Sequence, residues 1–509
     1  MMSASGRVVK NTIYLYIKSI VTMIVMLFVT RIVLQSLGVI DYGIYNVVAG
    51  SIGILGFFRN SLAVTMQRYL NHYQGENNFE RQMQVFNIGI VFHWAVAIIL
   101  VLFYFILGFF LFNGILNIPE ERIDAAKLVY LCLIFNTFVT VVTAPYDATI
   151  TAHENMLFYS IVGIADAFLK LAIAFVIVCA SGDKLIIYAI FMMIIPLVET
   201  IVMRVYCKRN YDECLFHPKR AWDVNLAKDM MRFAGWSLVG ASTNIISNYG
   251  AHLALNHYFG AAINAVTGIA NQIQGVLAVL LNGLLKSLTP VIFKTEGSGN
   301  ISSMLKISIL GCKYSTLLFS FLAVPVFIYT PLLLRLWLVE VPDWTILFVR
   351  LQLLRAFVEQ LGASMLESVH ATGEVRKLNI ITGFFNILPV IVLIFLYSFG
   401  FPPYWHYIVM ILMMTMGQNI TVILLCRNYC SLRIRDFITS VVTPCLVITA
   451  LASIFSIPSL LISNELLGLV SCIIISSGSF IVLTYFSMSK EERILIHLMI
   501  KNVVMRIKR

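Results

Sequence analysis

Long apolar runs separated by short polar segments make up nearly the whole chain. A helix that crosses a bilayer needs about 20 largely apolar residues. Fourteen stretches meet that length, at about 11–37, 42–70, 84–112, 125–150, 157–180, 185–207, 229–256, 262–290, 304–337, 344–370, 378–398, 405–427, 437–457 and 466–487. Membrane β-strands would instead alternate polar and apolar positions over roughly ten residues. Unbroken runs such as VAIILVLFYFILGFFLF at 96–112 contradict that pattern. The pattern predicts an all-α polytopic membrane protein of about 14 transmembrane helices.

Composition closes the other classes. Of 509 residues 60% are hydrophobic and 12% charged, and the mean hydropathy is +0.89. Soluble domains carry roughly 25% charged residues, because polar groups must cover the core. Soluble enzymes, disordered chains and secreted disulfide scaffolds are therefore excluded. The nine cysteines show no metal-type CxxC spacing and lie in helices or inner segments, so neither a metal site nor disulfides are expected.

Lys and Arg set the orientation, because short cytoplasmic loops retain them. With the N-terminus inside, the inner segments 1–10, 71–83, 151–156, 208–228, 294–303, 371–377, 428–436 and 488–509 hold 19, whereas the outer loops hold only Arg122 and Lys184. Both termini are expected in the cytoplasm. Arg7 and Lys10 before the first apolar run resemble a signal peptide, but that run contains Arg31 and no small-residue cleavage site, so it reads as a retained helix. The net charge of +11 then reflects topology, and no nucleic-acid partner is expected.

The halves repeat weakly. At an offset of 222, Leu37-Gly38 matches Phe259-Gly260 and Gly75 matches Gly297; at 220, Glu154 matches Glu374, Gly163 matches Gly383 and Asp166 falls opposite Asn386. Six helices per copy make a parallel repeat, two bundles around a central cleft suited to alternating access. The expected division is an N-lobe at 1–210 (helices 1–6), a cytoplasmic linker at 211–228, a C-lobe at 229–430 (helices 7–12), helices 13–14 at 431–487, and a basic amphipathic cytoplasmic tail at 488–509. In that tail Arg493, His497 and Lys501 lie four apart, as on a helix resting on the inner leaflet.

Ionisable residues inside a bilayer are costly and suggest function or pairing. Arg59 lies deep in helix 2, too far from either interface to snorkel easily; it reads as a cationic site for an anionic substrate or as a buried pair with Asp166 or another carboxylate. Arg31 and Lys286 are further cleft cations, with snorkelling as the rival reading. Asp166 and Lys170, spaced i, i+4, read as a structural pair or as an ion-coupling site, with Asp166 the sole central carboxylate of its lobe; Arg355 and Glu359 have the same spacing and the structural reading. Helices 7 and 8 concentrate Asn244, Asn248, Asn271 and Gln272, with Ser247, His252 and Gln274. Amides there act as glue between helices or bind sugar hydroxyls, since they both donate and accept. No Walker A, HExxH or GxSxG sequence occurs, so no catalytic residues, no enzyme activity and no cofactor are expected beyond a coupling H+ or Na+.

Several local sequences carry a family resemblance: Asn11-Thr12 opening the first helix, LGVIDYGIYNVV at 37–48, Ala152-His153-Glu154-Asn155 after helix 4, and its counterpart Ala371-Thr372-Gly373-Glu374. With the 6+6+2 helix pattern, the chain resembles the multidrug/oligosaccharidyl-lipid/polysaccharide (MOP) exporter superfamily, and within it the Wzx-type polysaccharide repeat-unit (O-antigen) flippases. The resemblance implies a bacterial inner-membrane transporter of an undecaprenyl-diphosphate-linked glycan, for O-antigen, capsule or exopolysaccharide synthesis. Polysaccharide polymerase and glycosyltransferases would be its partners. Arg59 and Arg31 match the helices in which related flippases keep cavity arginines. A lipid II flippase and a MATE-type drug/cation antiporter are the alternatives within the superfamily. A membrane-embedded polymerase or ligase is the alternative from another class, opposed by outer loops of no more than about a dozen residues.

Overall fold

The computed structural model describes residues 4–489 except 54, 113–117, 216–221 and 339–340, and also Glu492 and Arg493. Among these residues there are helices and turns and no strand. Helix α1 is Gly6–Gly38, and α2 comes in two pieces, Ile40–Gly53 and Gly56–Gly75. Helices α3 (Phe79–Phe110), α4 (Ile123–Ala152), α5 (Met156–Cys179) and α6 (Lys184–Asn210) follow. The long helix Val224–Gly297 breaks at Gly260 into α7 (224–260) and α8 (261–297). Then come α9 (Ile301–Ile328, extended by Thr330–Trp337), α10 (Thr345–Gln360 and Ala363–Thr372) and α11 (Val375–Ser398). The described chain finishes with α12 (Trp405–Cys430), α13 (Ile434–Leu461) and α14 (Glu465–Ser487). Eleven are long and apolar enough to span a membrane, or twelve with α2 taken as one span. Helices α7 and α10 miss that test: α7 carries amides, and α10 comes in pieces of 16 and 10 residues. This is a multi-pass membrane protein.

Polar punctuation explains where many helices begin. Asn78, Asn155, Asp183, Asp223, Asn300 and Asn464 each accept a hydrogen bond from a backbone amide of the turn that follows. Such N-caps satisfy donors that the helix leaves unpaired.

Two compact units emerge. One comprises Lys10–Ala241 with Phe293–Gly299; the other comprises the described residues up to Val9, Ser242–Ile292 and the described chain from Asn300 onward. The expected separation at 211–228 is thus displaced to Ala241/Ser242, within α7. The first turns of α7 bury Leu226, Met230 and Phe233, and Arg68 of α2 stacks its guanidinium 5.1 Å over the Phe233 ring. Helices α13 and α14, read from the sequence as an addition outside the repeat, pack on α9 within the second unit. There buried Lys313 donates to the Ser487 carbonyl at 3.1 Å and pairs with Glu492 at 3.3 Å. Arg493 folds back to donate to the Phe486 carbonyl at 3.0 Å; His497, Lys501 and most of the predicted tail helix lie outside the described residues.

The connections of the first unit gather in two alternating sets. Arg122, between α3 and α4, donates to Asp41 at 2.8 Å and to Asp183 at 2.7 Å, joining the α1–α2, α3–α4 and α5–α6 connections. The other set joins the ends of α2, α4 and α8 with the segment after α6. His72 meets Glu296 at 2.7 Å, Lys294 meets Glu154 at 3.0 Å, Gln74 meets His153 at 3.2 Å, and His153 also bonds Glu213.

Candidate functional site

The first unit encloses a small cavity of about 80 Å³ between α1, α2, α4, α5 and α6, lined by Lys18, Arg59, Asp147, Tyr159 and Glu199 among others. Gly163 belongs to this lining for a steric reason: a Cβ there would collide with the Lys18 side chain. Lys18 in turn sits 3.9 Å over the Tyr159 ring. Half-buried Arg59 makes no ion pair with any described carboxylate, so the rival reading of a buried pair with Asp166 or another carboxylate does not hold among the described residues. Asp166 instead binds Lys170 at 2.8 Å on α5. The charges of Asp166, Asp147, Arg59 and Lys170 all act on Glu199.

Two carboxylates were missed by sequence reasoning, and Asp166 is not the sole one. Asp147 Oδ1 is buried without a hydrogen-bond partner, and Glu199 faces the same cavity. Asp147 reads as part of a polar helix end, and Glu199 is a single acid in an apolar run. The available signal was proline: Pro145 and Pro196 lie inside α4 and α6, just before the two acids. Prolines inside helices release carbonyls from the ladder and mark irregular backbone.

The second unit holds a larger cavity of about 450 Å³. Helix α7 contributes Asn248, Tyr249 and His252; α8 contributes Asn271 and Gln274; and α10 contributes Gln352, Arg355 and Glu359. Spacings of three and four place these side chains on common helix faces. Asn244 stands behind the lining, accepting from Asn248 Nδ2 at 3.0 Å, whereas Gln272 is exposed and lines neither cavity. Lys286, half-buried, and Arg31, exposed on α1, also line neither. The anticipated Arg355–Glu359 ion pair is absent among the described residues. Arg355 Nη2 contacts Met414 Sδ at 3.5 Å, and its Nε has no acceptor. Gln352, 6% exposed, leaves its Oε1 without a partner. Sequence reasoning had named the amides of α7 and α8 but assigned α10 to structure, because a lone i, i+4 pair looks self-contained.

No protein-family model matches the sequence, and no curated relative matches it. Solved structures do. A MATE transporter in its straight conformation superposes with a TM-score of 0.70 at 15% identity, over 86% of this chain and 97% of that one. An outward-facing multidrug resistance MATE transporter of the MOP superfamily gives 0.69 at 13%, over 84% and 96%. A MOP superfamily transporter from Pyrococcus furiosus, described as having a binding pocket of reverse polarity, gives 0.68 at 12%, over 84% and 96%. At such identities the likeness is one of architecture: this chain has the fold of the MATE and MOP-superfamily transporters.

Proposed function

We propose that this protein flips an undecaprenyl-diphosphate-linked oligosaccharide repeat unit across the bacterial inner membrane by alternating access, with both termini in the cytoplasm. The observation that carries the reading is Arg59, a guanidinium facing an interior cavity with no carboxylate paired to it among the described residues. A diphosphate leaving water needs donors that stay charged at every pH, and the planar fork of arginine supplies them. The transporter fold and the positive-inside bias of the loops support the same reading. Glycosyltransferases would supply the substrate and a polymerase would consume it.

Arg59→Ala should stop export, with lipid-linked repeat units accumulating in the inner leaflet while the protein still inserts. Normal export by that variant would overturn the reading. Arg59→Lys should restore export only in part, because a point charge lacks the bidentate geometry.

A second reading, cation or drug antiport, is favoured by one observation: Asp147 and Glu199 line the Arg59 cavity. These two acids are then the candidates for H+ or Na+ coupling. Glu199→Gln should remove gradient dependence, whereas Asp166→Asn, which breaks only the pair with Lys170, should leave it. Loss of drug efflux with glycan export intact would favour the antiporter.

A further inference from the structure

We propose that the cavity of the second unit, between α7, α8 and α10, is a subsite for a neutral sugar of the lipid-linked glycan, separate from the Arg59 cavity. The inference rests on the substrate proposed above and adds where its sugar is read. The volume of about 450 Å³ falls within the roughly 300–1,000 Å³ typical of small-ligand pockets. Its lining is unusual for a membrane interior because half of its residues are amides: Asn248, Asn271, Gln274 and Gln352. An amide offers both a donor and an acceptor, as a sugar hydroxyl does, so a run of amides matches a run of hydroxyls.

Arg355 and Glu359 add one charge of each sign. Their sum is neutral, which opposes a free anion or cation and leaves charge-assisted hydrogen bonds available to hydroxyls. With one histidine and one carboxylate the cavity has too few ligands for a metal, and no group of three His, Cys, Asp or Glu stands together among the described residues. Tyr249, more than half exposed, presents a phenol ring, a platform for the apolar face of a sugar.

Unpaired atoms point the same way. Gln352 is nearly fully buried, yet its Oε1 has no hydrogen-bond partner, and neither does Arg355 Nε. Buried polar groups are seldom left without partners. Both residues line the cavity, so a side-chain rotation would present these groups to a ligand hydroxyl, and Asn244 already braces Asn248 from behind.

The test uses the purified full chain in lipid nanodiscs with two probes, a polyprenyl diphosphate and the same lipid carrying a neutral disaccharide. Gln352→Met, close to isosteric, and Asn271→Leu should each weaken binding of the glycosylated lipid roughly fivefold or more, the usual value of a lost hydrogen bond. Binding of the bare diphosphate should be unchanged, which also shows that the variants fold. Arg59→Ala should weaken both lipids. Equal weakening of both by the amide variants, or no effect on either, would remove the subsite while leaving the flippase reading in place. Wild-type protein that binds neither lipid would instead overturn the substrate proposal and the subsite with it.

Discussion

Gly38 and Gly260, 222 residues apart in sequence, hold the same backbone conformation, φ 77° and ψ 170° in one and φ 79° and ψ −178° in the other. Each ends one long helix and starts the next. That region of backbone space is open to glycine alone among ordinary residues, and other residues pay about 1–3 kcal/mol to enter it. Gly38→Ala and Gly260→Ala should each lower the apparent melting temperature of the purified protein. Gly43→Ala, at a helical position with nothing within 4 Å of a new Cβ, should hold or raise it. Equal behaviour of all three would mean that the two breaks carry no strain.

Gly75 and Gly297, the next pair at the same offset, face one another inside the first unit. A Cβ on Gly75 would strike the backbone of Lys294, Gly297 and Ser298, and one on Gly297 would strike the backbone of His72. Backbone cannot swing aside as a flexible side chain can. Either alanine variant should therefore separate the ends of α2 and α8 and disturb the His72–Glu296 and Lys294–Glu154 contacts. A cysteine pair replacing His72 and Glu296, whose side chains meet, in a cysteine-free chain should be joined by a short bifunctional thiol reagent, and Gly297→Ala should suppress that crosslinking.

The contacts of Arg122 explain why a connection expected on the outside keeps a basic residue against the general bias. Arg122 joins Asp41 and Asp183, and it pulls the Asp183 pKa down. Burial raises the Asp183 pKa, but Arg122 and the amides of Ile186 and Leu185 outweigh it and hold the group below its ordinary value. A carboxylate depressed in the fold contributes stability above its unfolded pKa and loses it as pH falls through the folded value. Arg122→Gln should thus lower the apparent melting temperature at pH 7, and the gap from wild type should shrink below about pH 4. A gap independent of pH would assign the loss to packing.

Cys179 is the exposed member of the nine cysteines; the other eight are buried. It closes α5 beside the connection assigned to the outside. An impermeant thiol reagent added to intact cells should therefore label the native protein once, and Cys179→Ser should abolish labelling. Introducing Ser298→Cys into that variant, at an exposed position of a segment assigned to the inside, should not restore it. Labelling at 298 from outside would reverse the topology.

Hydropathy alone determined the all-helical, multi-pass class, because a bilayer demands long apolar stretches and internally satisfied backbone. The repeat was also legible, at Gly38 and Gly260 and at Gly75 and Gly297, because glycines needed for backbone geometry leave identifiable marks. Other echoes were too short to read: Asn77 and Gly299 share a positive φ, Asn78 and Asn300 cap equivalent helices, and Cys207 and Cys426 each contact a carbonyl 61 residues earlier at 3.7 Å. Sequence spacing sees only neighbours along one helix, so it could pair Asp166 with Lys170, and it wrongly paired Arg355 with Glu359. Which side chains share a cavity depends on how several helices are rotated about their axes. Only tertiary packing sets that rotation. It brought Asp147 and Glu199 to Arg59, turned Gln352 and Arg355 toward Asn248 and Asn271, and left Arg31, Gln272 and Lys286 outside both cavities.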